Sequence, residues 1–288
     1  MQHGSSVPSR PSARLAAGVL AGERDGAEAI TRQEGVASKV LVDIAGRPML
    51  QRVLDAVAEA GAAPIYLCGP EQGTLTQEPW IRRPIHGATV HWLPPEASPA
   101  RSAGALVDMA FGRDSHRTDG LLLTTGDHPL LTSATLGRFA AAAFAAEAEV
   151  VVGLARHARV QAAFPHSRRT PLKFSDGPFC GCNLFFVRSA AGRPVFDFWK
   201  QVESDRKRPG RMLQKIGFGF SLAYLSGRLS SAAALRKLSK VIGVSIGVVE
   251  ISDPDAAVDV DSLADLETVR RRWRERSAAG ATGPGCAS

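Results

Sequence analysis

Short runs of aliphatic residues alternate along the chain with longer stretches in which apolar residues return every three or four positions. Five runs have the length and character of buried strands: "LAAGVLAG" (15–22), "APIYLCG" (63–69), "ATVHWL" (88–93), "GLLLTTG" (120–126) and "EVVVGLA" (149–155). Helical patterns lie between them. "MLQRVLDAVAEAG" (49–61) places Leu50, Val53, Leu54 and Val57 on one face, and "SATLGRFAAAAFAAEA" (133–148) opens with Ser133 placed to cap it. This order predicts an α/β fold: a doubly wound, mostly parallel sheet with helices on both faces and ligands at the carboxyl ends of its strands.

Composition narrows the picture. Of 288 residues, 44% are hydrophobic and 22% charged, as in a globular protein. One domain is expected over 14–275, between a flexible leader (1–13) and a small, Gly-rich, disordered tail (276–288). No apolar run approaches the roughly 20 residues that span a bilayer, and the first residues lack an apolar signal core, so a cytoplasmic protein is expected. Four cysteines do not make a disulfide framework, and the C-x-C of Cys180 and Cys182 lacks the second pair of a structural zinc site. The formal charge of +7 favours anionic partners. Its main clusters, "DRKRPGR" (205–211) and "VRRRWRER" (269–276), read first as solvated faces. No nucleic-acid recognition module is present. A helical insertion is expected at about 193–243, with basic faces and the aromatics Phe196, Phe198, Trp199, Phe218, Phe220 and Tyr224. That combination suits peripheral contact with an anionic membrane, although packing against the sheet is the commoner reading.

The chemistry concentrates after two strands. Asp127 follows the run "LLLTT" in "TTGDHPLLT" (124–132), where it either caps a turn or faces a ligand. Leu20-Ala21-Gly22 ends the first strand, where small residues let backbone N–H groups approach phosphates, and Lys39 closes the following loop. Each signal is weak alone.

Three motifs together resemble a family. "LAG" (20–22) with "SKVLVDIAGRPMLQRVLDAV" (38–57), "GDHPLLT" (126–132) and "DVDSLADLETV" (259–269) resemble the Rossmann-like nucleotidyltransferases. These include molybdenum cofactor guanylyltransferase, the cytidylyltransferases of isoprenoid and sugar-acid synthesis, and the sugar-phosphate nucleotidyltransferases. The resemblance implies a nucleotide-diphospho-sugar transferase-like fold and a metal-dependent enzyme. Such an enzyme couples an NTP to a small phosphorylated acceptor, releases pyrophosphate and uses Mg2+ or Mn2+. It implies Lys39 and Asp127 as catalytic residues. Leu20, Ala21, Gly22, Ser98 and Arg101, with Lys39 and Asp127, would bind the nucleotide. Asp127 and Asp261 would hold the metal, with Asp259 a further candidate. Arg168, Lys173 and Asn183 would face the acceptor, as could Arg169 and Asp176. The chemistry is coherent, because two anionic phosphates repel until cations neutralise them.

The chain also departs from the pattern. Glu23 stands where the family has a second glycine, the loop before Lys39 is lengthened, and Arg24 or Arg32 could replace the family's loop arginine. Asp261 could instead be the N-cap of a helix. Two other readings therefore stay open: a glycosyltransferase of related fold, and a noncatalytic protein that binds nucleotide or a lipid surface. The base, the acceptor and the oligomeric state are not specified by the sequence.

Overall fold

The computed structural model describes residues 13–23, 28–112, 118–166, 169–205 and 226–281. The elements run in the order β1 (Leu15–Leu20), α1 (Glu28–Glu34), β2 (Asp43–Ile44), β3 (Arg47–Pro48), α2 (Met49–Glu59), β4 (Ile65–Cys68), α3 (Gln72–Leu75), β5 (Val90–Leu93), α4 (Pro99–Phe111) and β6 (Gly120–Thr125). They continue as α5 (Ser133–Ala145), β7 (Val150–Arg156), α6 (His157–Ala163), β8 (Leu172–Phe174), β9 (Gly177–Val187), α7 (Arg193–Asp205), α8 (Ser231–Ile242), β10 (Ile246–Ile251) and α9 (Leu263–Ala281).

All five sequence-predicted strands form. Seven strands pair in the order β10-β7-β9-β6-β1-β4-β5, and β8 pairs with β9 to make an eight-stranded sheet. The pairs β1–β4, β1–β6, β4–β5 and β7–β10 are parallel; β9 runs antiparallel to β6, β7 and β8. The sheet therefore has helices on both faces, and its strands alternate between two apolar clusters. Leu15, Ala17 and Val19 of β1 join the cluster that holds Val53, Leu54 and Val57 of α2. Ala16, between them, joins the cluster that holds Leu106 and Val107 of α4. Both faces are covered, which is why β1 and β6 read as continuous apolar runs rather than as alternating ones.

Several sequence expectations need correction. The cap of α5 is Thr132, not Ser133: its side chain accepts from the Thr135 N–H at 3.2 Å. The expected tail boundary is too early, since α9 continues to Ala281. "VRRRWRER" is not simply a solvated face. Arg270 grips Glu34, Arg272 and Arg276 converge on the buried Asp255, and Trp273 receives the guanidinium of Arg52 of α2 over its ring at 3.8 Å. Thus α9 is stapled to the domain on three sides.

In the expected insertion, α7 and α8 form. Phe196 is 1% exposed and packs with Trp199 against Phe185 of β9, so these two aromatics serve the core. Phe218, Phe220 and Tyr224 lie outside the described residues, as do the leader to residue 12 and the basic run from Arg206 to Arg211. Among the described residues, no helix is long and apolar enough to cross a membrane.

Candidate active site

The carboxyl ends of β1 and β6 lie side by side, with Leu20 paired to Thr125. Two backbone bonds hold the segments beyond these strand ends in place: the Gly126 N–H donates to the Leu20 carbonyl at 2.7 Å, and the Val260 N–H donates to the Asp127 carbonyl at 3.0 Å. The loops after two central strands and the segment before α9 are thereby drawn to one point. Lys39 reaches it on a single helical turn (Lys39–Leu41), whose Val40 and Leu41 are buried while the lysine looks the other way.

The side chains meet there. Lys39 Nζ donates to Asp127 Oδ2 at 2.9 Å and to Asp261 Oδ1 at 3.1 Å. The other oxygen of Asp127 accepts from Thr125 Oγ1 at 2.6 Å, so both of its oxygens are oriented. Lys39 and Asp127 are mostly covered, whereas Asp261 is 62% exposed. Burial opposes both charges in the inner pair, and the pair overcomes it. For Lys39, desolvation lowers the pKa, but Asp127 and then Asp261 hold it above the ordinary lysine value. For Asp127, desolvation raises the pKa, but Lys39, His128 and the Thr125 bond carry it below the ordinary aspartate value.

Asp261 is free to do this because it does not cap α9. Ser262 Oγ accepts from the Asp265 N–H at 3.2 Å, and Asp265 Oδ2 accepts back from Ser262 Oγ at 2.6 Å and from the Asp261 N–H at 3.3 Å. This reciprocal capping satisfies the helix start without the Asp261 carboxylate.

Two cavities flank the cluster. One, of about 430 Å³, is lined by Leu20, Gly22, Glu23, Lys39, Pro95, Glu96, Ser98, Ser102, Thr125 and Asp127. The other, of about 630 Å³, is lined by Phe164, His166, Arg169, Thr170, Cys180, Gly181, Asp259, Asp261 and Ser262, among others. Gly22, on the wall of the smaller cavity, is closely approached by the backbone of Gly69. Gly69 sits at φ +80°, and a Cβ there would stand 2.8 Å from the Gly22 nitrogen.

Two carboxylates facing one ammonium leave a net negative charge at the junction. That donor set suits a hard divalent cation, which takes a few carboxylate oxygens and completes its shell with phosphate and water. Among the described residues, no group of three or more His, Cys, Asp or Glu could hold a metal ion, so protein ligands alone would not fill such a shell.

The remaining sequence candidates divide. Leu20, Gly22 and Ser98 line the smaller cavity; Ser98 also caps α4, accepting from the Arg101 N–H. Ala21 is buried behind it, its N–H donating to the Cys68 carbonyl. Arg101 does not line this cavity but faces a separate groove of about 200 Å³ with Asp108 and Arg193. Arg32 is exposed and lines neither cavity, and Arg24 lies outside the described residues.

Of the residues expected to face an acceptor, Arg169 lines the larger cavity. Lys173 is exposed on β8 and does not, because the short β8–β9 hairpin turns its side chain to solvent. Arg168 lies outside the described residues. Asp176 is occupied at the start of α8, accepting from the Ser231 N–H at 2.9 Å. Asn183 and Asp259 bond to each other and to His128 and Arg169, so Asp259 is held away from Lys39. Cys68, Cys180 and Cys182 are free and buried, and burial pushes the Cys182 thiol up to about 12.

Sequence reasoning missed two features. Thr125, the last residue of β6, orients Asp127 in the turn that follows, a role that a hydroxyl two residues upstream could have suggested. Glu23 does not point its charge freely into the cavity: Oε1 accepts from the Lys39 backbone N–H at 3.0 Å and ties the two ends of the loop together.

Residues 15–196 match the MobA-like NTP transferase domain family. The chain is 33% identical over 260 residues to the bifunctional protein GlmU of Trichlorobacter lovleyi, covering 85% of this chain and 50% of that protein. It thus spans about half the length of this curated relative. A hypothetical transferase from Thermus thermophilus of known structure is 30% identical, with a TM-score of 0.71 over 88% of this chain and 99% of the other. The 4-diphosphocytidyl-2C-methyl-D-erythritol synthase of Anaerococcus prevotii shares the fold, with a TM-score of 0.55 at 9% identity over 91% and 96% of the two chains.

Proposed function

The chain belongs to the MobA-like NTP transferase domain family, and from that premise we propose that it is a metal-dependent nucleotidyltransferase joining an NTP to a small phosphorylated acceptor. One observation carries the reading: the hydrogen-bonded Lys39–Asp127–Asp261 cluster lends Lys39 and Asp127 to the wall of one cavity and Asp261 to the wall of a second. The smaller cavity, with the Leu20–Gly22 turn and Ser98 on its walls, receives the nucleotide. The larger one receives the acceptor.

An oxygen of the acceptor phosphate attacks the α-phosphorus of the NTP. The bond from that phosphorus to the α,β-bridging oxygen breaks, and pyrophosphate leaves. The protein acts mainly by placement and charge. Lys39 supplies a fixed ammonium to the phosphate oxygens, and Thr125 keeps Asp127 turned toward the junction. Asp127 and Asp261 are the residues that would hold a divalent ion such as Mg2+ or Mn2+, which when bound neutralises phosphate charge and polarises the phosphoryl group. Glu23, bonded to the Lys39 N–H, reinforces the loop while adding negative charge near the phosphates, an arrangement that favours modest NTP affinity.

The test is a panel of the four NTPs against phosphorylated polyols, sugars and cofactor precursors, with pyrophosphate detected in the presence of Mg2+. Pyrophosphate should appear with a particular pair. Asp127→Ala should cut turnover by about two to three powers of ten, the usual scale for a lost charge-stabilising group. Nucleotide binding without turnover would favour the noncatalytic reading, and release of a nucleoside diphosphate from a nucleotide sugar would favour a glycosyltransferase.

A further inference from the structure

We propose that Asn183 is a positioning residue, whose side-chain amide sets the distance between Asp127 and Asp261 by tying together the two segments that carry them. The inference rests on the metal-dependent reading above and gives Asn183 a role other than the acceptor contact that the family resemblance implied, since it does not line the larger cavity and its amide is taken up by His128 and Asp259.

Asn183 occupies an irregular point in β9. On β7, Val152 pairs with Phe185 and Leu154 with Gly181, so β9 uses two extra residues to span the same interval. Such a bulge turns a side chain away from the direction that strand alternation would give it. Here Asn183 adopts φ +46°, a left-handed conformation that asparagine tolerates better than most residues. The partner strand makes room. Gly153 of β7 faces the bulge, and a Cβ there would stand 3.0 Å from Leu184 Cβ.

The amide thus turned bridges two segments. Asn183 Nδ2 donates to Asp259 Oδ2 at 3.2 Å, and it lies 2.9 Å from Nε2 of His128, which is fully buried. Because a carboxylate only accepts, the nitrogen end of the amide must face Asp259, and its second N–H is directed at the imidazole nitrogen. The remaining oxygen of Asp259 is taken by Arg169, whose Nη2 also donates to the Asp259 carbonyl at 3.0 Å. His128 follows Asp127 and Asp259 lies two residues before Asp261, so the amide joins the neighbours of both carboxylates. Its partners are buried or half-buried, and the Val260–Asp127 backbone bond runs alongside. Groups that orient metal-holding residues from behind commonly change metal affinity by about 10- to 100-fold when removed.

Asn183→Gly is the informative variant, since glycine keeps the left-handed backbone and deletes only the amide. Mn2+ alone is the probe, titrated against the folded chain with free Mn2+ followed by electron paramagnetic resonance; this readout needs no turnover. We expect Mn2+ affinity to fall by about 10-fold or more, kcat to fall with it, and the KM for NTP to change little. As a second pair, His128→Gln keeps an acceptor for the amide and should retain Mn2+ binding, whereas His128→Leu should lose it. This pair decides the matter if Asn183→Gly does not fold. Native Mn2+ affinity in Asn183→Gly, or equal affinity in the two His128 variants, would overturn the inference. A native chain whose Mn2+ binding is absent, or unaffected by Asp127→Ala, would instead defeat the metal-dependent reading and the inference with it.

Discussion

Lys39 and Asp261 are 222 residues apart in the chain, and their side chains meet at 3.1 Å. The contact closes the end of the sheet that carries the candidate site, because Lys39 comes from the loop after β1 and Asp261 from the turn before α9. It also brings two carboxylates to one cation. Removing the cation should leave Asp127, largely buried, facing a like charge. Lys39→Ala should therefore lose about 2 kcal/mol of stability without divalent ions, by leaving a covered charge unpaired. Mg2+ should raise its melting temperature more than that of the native chain. Equal responses to Mg2+ in a calorimetric comparison would count against a cation position shared by the two aspartates.

Asp261 and Ser262 are adjacent but should separate cleanly in function. Asp261→Asn removes the negative charge and leaves the Ser262–Asp265 capping bonds in place, so turnover should collapse with a near-native melting temperature. Ser262→Ala should show the reverse, a loss of about 1 kcal/mol with most activity kept. Pyrophosphate release and thermal denaturation of the two variants, run side by side, decide between the roles.

Asp255 is 1% exposed and carries the weight of α9, since Arg272 bonds both of its oxygens at 3.0 and 3.1 Å and Arg276 adds a second guanidinium. Both arginines are about a third exposed, so they can rehydrate when the carboxylate is removed. Asp255→Ala should accordingly cost about 2 kcal/mol, below the usual range for a broken buried pair. Asp255→Asn, which keeps the shape and loses the charge, should fall between. Denaturant unfolding of the three chains provides the comparison.

Glu34 gives a pH signature. Its bonds to Arg270, at 3.0 and 2.6 Å, hold its pKa below the ordinary glutamate value; burial opposes the shift and the arginine charge reinforces it. A carboxyl group with a depressed folded pKa contributes stability above its unfolded value of about 4.3, and that contribution is lost as pH falls through the folded pKa. The native chain should therefore melt higher than Glu34→Gln at pH 6, and the gap should narrow on acidification below about pH 4.3. A gap that stays constant down to pH 3 would contradict the linkage.

Much of the architecture was legible because burial on both faces leaves a plain mark. The strands at 15–20 and 120–125 are uninterrupted apolar runs, and the spacing in α2 shows its buried face directly. Lys39, Asp127 and Asp261 were legible through short motifs at the ends of those elements. The choice between Asp261 and its neighbour as helix cap was not, because aspartate and serine cap almost equally well and only the Ser262–Asp265 reciprocity decides it. The same ambiguity misplaced the cap of α5 by one residue. Arg101 and Lys173 were placed at the site by the family resemblance of their segments, but neither lines the two cavities, because the direction of a surface side chain depends on which way its helix or hairpin faces. The Asp255 pairings and the turned amide of Asn183 had no local signal, since each depends on segments that approach only in the folded chain.

The position of the cluster between two cavities also bears on kinetic order. If the two substrates occupy separate cavities lined from the same Lys39–Asp127–Asp261 cluster, as proposed, they can react only when both are present, and the nucleotidyl group should pass directly from donor to acceptor. The thiol on the wall of the larger cavity, Cys180, is kept protonated by a pKa that burial raises, which makes it a poor intermediate carrier. For the proposed reaction the expected outcome is a ternary-complex mechanism, with intersecting rather than parallel initial-velocity lines and no exchange of labelled pyrophosphate into NTP until the acceptor is bound.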